Sequence, residues 1–100
     1  GDGLKAVLMA AKSGDPELLR LLLRHHANVN QADPVTGNTA LMLAANRGAV
    51  QAVTLLLAAG ANVNARAKDG WTALEAARMI GDNEIESLLK KAGARETSEP

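Results

Sequence analysis

Short apolar stretches punctuated by glycine recur along this chain. In one of them, Val50, Val53 and Leu57 follow one another at intervals of three and four residues. Leu56 lies beside Leu57 and widens the same stripe. This spacing puts the apolar side chains on one side and predicts an amphipathic helix. Gly60 follows the stripe and is expected to end the helix.

A shorter helix is predicted to precede this one over residues 40–47. Thr39 stands before it and offers a hydroxyl that accepts a hydrogen bond from an unpaired backbone N–H. Gly48 supplies the left-handed residue that ends such a helix. After the second helix, residues 62–64 are predicted to be short and extended, and to lead into a turn closed by Gly70. The pattern therefore predicts two helices and a connecting loop.

This unit is repeated along the chain. Three successive leucines at 21–23 recur at 55–57, an interval of 34 residues, and Thr-Ala-Leu at 39–41 recurs at 72–74, an interval of 33. A nearly fixed period is the signature of a repeat protein. We therefore predict a single domain over residues 1–100. Its three units are expected at about 3–36, 37–69 and 70–95, followed by a polar tail at 96–100.

The need for burial dictates how the units are arranged. Helices this short are not stable alone in water, so each must pack against its neighbour and against the next unit. Hydrophobic residues make up 47% of the sequence, and most are Ala or Leu, which suit closely packed helices. Burying one Leu contributes about 1.5–3 kcal/mol, so a few contacts per interface hold a stack together. The expected fold is an all-α solenoid of helix–turn–helix units.

The repeated residues resemble those of the ankyrin repeat family. The hallmark of that family is Thr-Pro-Leu-His with helical Ala, then Gly, a Leu-Leu pair and Gly-Ala-Asp-Val-Asn. The middle unit has Thr-Ala-Leu-Met-Leu-Ala-Ala at 39–45, Gly48, Leu-Leu at 56–57 and Gly-Ala-Asn-Val-Asn at 60–64. The resemblance extends over roughly residues 4–94. It implies units joined by short β-hairpin-like loops.

The chain departs from the family pattern at several positions. Ala40 and Ala73 replace the Pro, which loses a rigid first turn. Met42 and Glu75 replace the His, so the buried imidazole hydrogen bonds of the family are in doubt. His26 stands where a helix-ending glycine is expected, and a non-glycine residue there adopts a less favourable backbone. We therefore expect the first unit to fray more readily than the second.

Composition excludes several classes of function. Eleven basic and eleven acidic residues cancel, so no net field favours nucleic acid or an anionic membrane surface. Cysteine is absent, which excludes disulfides and Cys-based zinc sites. No apolar run reaches the roughly 18 residues of a membrane span. The sequence begins at Gly1 without an initiator methionine, so we expect a trimmed N-terminus. The expected location is cytoplasmic, and an exported location stays open.

The residues needed for catalysis or cofactor binding are not grouped in the sequence. His25 and His26 are adjacent and point in different directions on a helix, so they do not form a metal-binding pair. The glycines fall at repeat spacing rather than in a phosphate loop, and no carboxylates are paired for acid–base work. We expect no catalytic residue, metal or cofactor. The resemblance also places Asn30 and Asn64 at a position that is hydroxylated in some animal ankyrin repeats, and the alternative is that these side chains order the turn.

The resemblance implies that another protein binds to the hairpin tips and to the concave face of the first helices. An inhibitor, an immunity-type protein or an adaptor would work in this way. The alternative is a structural or targeting segment of a longer protein. The predicted partner-binding residues are Asp33, Val35, Asn38, Asn46, Arg47, Arg66, Lys68, Asp69, Trp71 and Met79, with Lys12, Thr36, Met42 and Ile80 at related positions.

Two of these side chains have competing interpretations. Trp71 follows the turn glycine and is the chief candidate for a binding hot spot, because Trp is enriched at such sites. Its alternative is to pack over neighbouring aliphatic side chains. Met42 suits an adaptable surface and equally fills gaps in a core, and the core is the prediction here.

The two ends of the stack are expected to differ. Glu86 and Lys90 replace apolar residues in the last unit, which is typical of a terminal cap. In the first unit, Leu18 with Leu4 and Leu8 suggests an uncovered apolar patch. Its causes would be a missing upstream repeat, self-association of an otherwise monomeric chain, or a partner site. The alternative is that Leu4 folds back over Leu18.

Overall fold

The computed structural model of the protein describes residues 2–25 and 28–95. Over these ranges the chain forms six α-helices and no β-strand. The expectation about the helix end at His26 therefore lies outside the described residues, as do the side chain of Leu4 and the tail at 96–100. The helices are α1 (Asp2–Ser13), α2 (Pro16–His25), α3 (Ala40–Arg47), α4 (Val50–Ala58), α5 (Ala73–Ile80) and α6 (Asn83–Lys91).

The helices form two layers. The first helices of the units, α1, α3 and α5, pack side by side, and the second helices, α2, α4 and α6, do the same behind them. Each first helix also packs against the second helix of its own unit. The arrangement confirms the predicted all-α repeat fold.

Local rules fix where the first helices begin and end. The hydroxyl of Thr39 accepts a hydrogen bond from the backbone N–H of Met42 at 3.4 Å, and Thr72 does the same for Glu75 at 3.2 Å. Gly48 ends α3 in the left-handed conformation with φ of 76°. The predicted helix over 40–47, its Thr39 cap and its glycine stop are therefore confirmed.

The core is a continuous band of Leu and Ala between the two layers. The bulky members include Leu19, Leu41, Leu56, Leu74 and Leu89, all fully buried. Alanines fill the closest approaches between the first helices, where a larger side chain would force the helices apart. The buried alanines of the first helices are Ala10, Ala11, Ala40, Ala44, Ala45, Ala73, Ala76 and Ala77.

Two loops lead from the second helix of one unit to the first helix of the next. In loop 1 (residues 31–38) the N–H of Asp33 donates to the carbonyl of Asn38 at 2.9 Å. In loop 2 (residues 65–71) the N–H of Ala67 donates to the carbonyl of Trp71 at 2.8 Å. These bonds close hairpin-like turns without forming strands.

The segment before loop 2 differs from its prediction. Residues 62–64 were expected to be extended, but Val63 and Asn64 form a turn. The side-chain oxygen of Asn62 accepts a hydrogen bond from the N–H of Asn64 at 3.0 Å. An Asn side chain that bonds the backbone two residues ahead stabilises a turn in place of an extended chain.

Candidate partner-binding surface

The first helices pack side by side and the two loops bond to each other, and we call the surface of these helices and loops the inner face. At its N-terminal end α1, α3 and loop 1 enclose a groove of about 290 Å³. Leu8, Met9 and Leu43 provide its apolar surface. Its polar lining consists of Lys5, Lys12, Asp33, Thr36 and Asn38.

Several large apolar side chains protrude from the inner face. Met9 on α1 is 65% exposed, Val35 in loop 1 is 79% exposed and Met79 on α5 is 70% exposed. Ile80 is exposed as well, although its Cδ1 atom packs over Gly48 of the preceding unit. Exposed apolar side chains that cluster on one side of a protein are typical of a contact surface.

The acidic side chains of the inner face are held by hydrogen bonds within the chain. Asp33 accepts from the N–H groups of Thr36 and Val35, and these two bonds lower the pKa of its carboxyl. Asp69 accepts from the N–H of Trp71 at 3.1 Å. Glu75 accepts from the hydroxyl of its own capping residue at 3.3 Å. These bonds order the loops and the start of α5, and the carboxylates keep their negative charge while making them.

Basic side chains are abundant on the same face. Lys5, Lys12, Arg47 and Arg66 are all exposed. Lys68 is exposed too, and its ammonium group donates to the carbonyl of Pro34 at 2.6 Å, which ties loop 2 to loop 1. The inner face thus has a basic character although the whole chain is neutral.

The predicted partner-binding residues divide into three groups by exposure. Trp71 is half-buried and packs against the core, so part of its ring is available and part supports the loop. Met42 is buried, and its sulfur accepts from the N–H of Thr39 at 3.5 Å, which confirms its place in the core. Asp33 and Asn38 are half-buried, whereas the exposed group is Lys12, Val35, Thr36, Asn46, Arg47, Arg66, Lys68, Asp69, Met79 and Ile80.

Sequence reasoning missed part of the groove. Lys5, Met9 and Leu43 line it but were not among the predicted residues. Leu8 also lines this groove, whereas the concavity around Leu18 on α2 is lined by other residues. The signal was present, because Met9 lies 34 residues before Leu43 and occupies the same place in its unit. The first unit lacks the Thr-Ala-Leu motif that marks the start of the equivalent helix in units two and three.

Asn30 and Asn64 connect consecutive units. The side chain of Asn30 accepts from the N–H of Asn62 at 2.6 Å and donates to the carbonyl of Gly60 at 3.3 Å. Asn64 repeats both bonds one unit later, with Arg95 at 2.9 Å and Gly93 at 3.1 Å. The expectation that these two side chains order their own turn is therefore wrong, because they bond to the next unit while Asn28 and Asn62 order the turns.

Other kinds of site find little support in the structure. In the residues that the structure describes, no three His, Asp or Glu side chains come together as a metal would require. No described helix is both long and apolar enough to cross a bilayer. The features that remain are the groove, the exposed apolar side chains and the basic character of the inner face.

Comparison with known proteins gives the same fold. Residues 7–99 match the sequence profile described as Ankyrin repeats (3 copies). The chain is 41% identical over 86 residues to Ankyrin repeat and SAM domain-containing protein 6 of Rattus norvegicus, a match that covers 86% of this chain and 10% of that protein. It is 28% identical over 101 residues to NF-kappa-B inhibitor cactus of Drosophila melanogaster, covering 99% of this chain and 20% of that protein. The chain thus spans a small part of these relatives.

Proposed function

Because the chain belongs to the ankyrin repeat family, whose repeats are protein-interaction modules, we propose that it binds a partner protein through the inner face. One observation carries the proposal. Met9, Val35 and Met79 are the most exposed large apolar side chains among the described residues, and all three lie on this face. A partner that covers them would gain the free energy of removing apolar surface from water.

The charges of the inner face favour an acidic partner segment. Lys5 and Lys12 flank the exposed Met9 along α1, and among the described side chains of this face the basic ones outnumber the acidic ones. An apolar side chain of the partner would enter the groove between Leu8 and Leu43, with carboxylates on either side of it reaching the lysines. Complementary charge mainly accelerates association and selects the partner, whereas the buried apolar contact supplies affinity.

Hydrogen bonds between the loops and between the units hold the inner face together. The N–H of Lys68 donates to the carbonyl of Thr36 at 3.0 Å and joins the two loops. Asn30 and Asn64 fix the spacing between units. A surface held in this way loses little conformational entropy on binding, so more of the contact energy appears as affinity.

The finer role that we propose is masking, as in an inhibitor or an adaptor. An extended inner face covers a wide strip of a partner rather than a single point. The name of the cactus protein describes an NF-kappa-B inhibitor, and this supports masking as the first role to test. The alternative role is that of a structural or targeting segment within a longer protein.

The proposal is tested with two double variants that carry the same added charge. Met9→Glu with Met79→Glu alters the inner face, and Thr54→Glu with Ser87→Glu alters exposed positions on α4 and α6. Tagged chains are used to capture partners from a source lysate, with quantitative mass spectrometry as the readout. We expect the Met9→Glu, Met79→Glu variant to lose proteins that the wild type and the Thr54→Glu, Ser87→Glu variant both retain. Equal capture by all three chains would contradict the proposal and favour the structural role.

A further inference from the structure

The outward side of α2 exposes an apolar residue, Leu18, whose counterparts in the later units are fully buried. Leu18 is 43% exposed, whereas Ala52 and Ile85, which hold the same place in units two and three, are fully buried. In those units the preceding second helix covers this place, since α2 packs on α4 and α4 on α6. Leu21, one turn after Leu18, is 51% exposed. The N-terminal end of the stack thus presents a face built for helix packing.

In the described residues, the opposite end of the stack has a charged side chain where the first two units have an apolar one. Glu86 of α6 takes the place that Leu19 and Val53 hold in the first two units. Its carboxylate accepts from Arg78 at 3.1 Å and lies 3.3 Å from the ammonium group of Lys90. Leucines stacked on this ion-pair group would desolvate charge without gaining an apolar contact. A head-to-tail arrangement of copies is therefore disfavoured.

The exposed side of α2 has a self-complementary pattern. One shallow concavity is lined by Glu17, Leu18, Arg20, Leu21 and Arg24. Along the helix, Glu17 lies about one turn before Leu21 and Arg24 about one turn after it, and both charges fall on the same edge of the leucine pair. Along α2 the order is therefore acidic, apolar, basic. When a second copy of this helix runs in the opposite direction, the acidic end of each copy faces the basic end of the other.

We propose that two copies of this chain associate through α2, packed antiparallel around a two-fold axis that passes close to Leu21. Rotation about such an axis reverses the direction of the helix, but it leaves the charged edge of the leucine pair on the same side of the interface in both copies. Glu17 of one copy then faces Arg24 of the second copy, and the pair occurs twice. Leu18 and Leu21 of both copies pack together between these pairs and are buried from solvent.

The dimer leaves the inner face free. α2 belongs to the second layer, behind the first helices. Each copy contributes only two exposed leucines, so the interface is small and the association weak and dependent on concentration. A partner with two binding segments would nevertheless be held more tightly by a pair of copies than by one.

The first test uses sedimentation velocity of the chain over a concentration range, with Leu18→Glu as the disruptive variant. Val35→Glu is the matched control, because it adds the same charge to an exposed apolar residue of loop 1. We expect the wild type and Val35→Glu to dimerise with rising concentration and Leu18→Glu to stay monomeric with an unchanged thermal unfolding midpoint. A wild type that stays monomeric throughout would overturn the proposal, and so would equal loss in both variants.

The second test is specific to the antiparallel arrangement. Glu17→Arg alone and Arg24→Glu alone each turn two attractive pairs into repulsive ones, which we expect to weaken the homodimer about tenfold. When the two variants are mixed, every facing pair is opposite in charge, so association returns in the mixture. If the mixture associates no better than the separate variants, the antiparallel dimer is ruled out.

Discussion

The side-chain oxygen of Asn30 accepts a hydrogen bond from the backbone N–H of Asn62, across a separation of 32 residues in the chain. The same side chain donates to the carbonyl of Gly60. One amide group thus satisfies a donor and an acceptor of the next unit. Replacing Asn30 with Ala leaves both without that partner.

We expect Asn30→Ala to lower the free energy of unfolding by about 1–3 kcal/mol, the usual cost of losing two such bonds at a partly solvated site. Asn28→Ala is the matched control, because in the part of the chain that the structure describes the side chain of Asn28 accepts from the N–H of Asn30 within its own turn. Urea denaturation followed by circular dichroism measures both. Equal losses in the two variants would mean that the bonds between units contribute no more to the free energy of unfolding than the bond within a local turn.

Substitution of two glycines distinguishes the energetic cost of backbone strain from that of a packing contact. Gly48 and Gly81 end α3 and α5 with nearly the same φ, 76° and 75°. A Cβ atom at Gly48 would lie 3.3 Å from Cδ1 of Ile80, whereas one at Gly81 would meet nothing within 4 Å. Both changes to Ala cost about 1–2 kcal/mol from the left-handed backbone. Gly48→Ala should cost more, because Ile80 must also move, and thermal unfolding of both variants measures the difference.

The single tryptophan reports on loop 2. Trp71 is half-buried against the core, so we expect a fluorescence emission between that of a buried indole and that of one in water, with partial quenching by acrylamide. A partner bound at the inner face should shift the emission to shorter wavelength and reduce the quenching. Emission equal to that of free tryptophan would contradict the half-buried placement, and an unchanged spectrum in the complex would remove Trp71 from the contact.

Features set by short stretches of sequence could be predicted from the sequence. The Thr39 cap and the Gly48 stop each depend on a few neighbouring residues, so α3 begins and ends where it was expected. Exposure could not be predicted in the same way. Met9 and Leu43 occupy the same place in consecutive units, yet Met9 is exposed and Leu43 half-buried. The exposure of each side chain depends on which units lie beside it.

Contacts between units could not be predicted from the sequence for a related reason. The repeated Asn at 30 and 64 was visible, but its bonds reach residues about 30 positions away. Their geometry depends on how closely the units stack. The groove residue Lys5 went unnoticed for the same cause, because α1 and loop 1 meet only when units one and two pack together.

Loop 1 is expected to respond to acid through the carboxylate of Asp33. The N–H groups of Thr36 and Val35 lower the pKa of Asp33, because both bonds favour the charged carboxylate. The ionised group therefore stabilises the folded loop at pH values above its ordinary pKa of about 3.9. That contribution is lost as the pH falls through the lower value of the folded state.

Asp33→Asn keeps a carbonyl oxygen for the same two bonds but removes the titrating charge. In the wild type, NMR titration should show the amide signals of Val35 and Thr36 moving together at a pH below the ordinary range of an aspartate. In Asp33→Asn both signals should stay still. Glu86→Gln is the control, because Glu86 also has a lowered pKa, from Arg78 and Lys90, but lies on α6. If the loop amides respond to Glu86→Gln and not to Asp33→Asn, the acid response of loop 1 does not originate in Asp33.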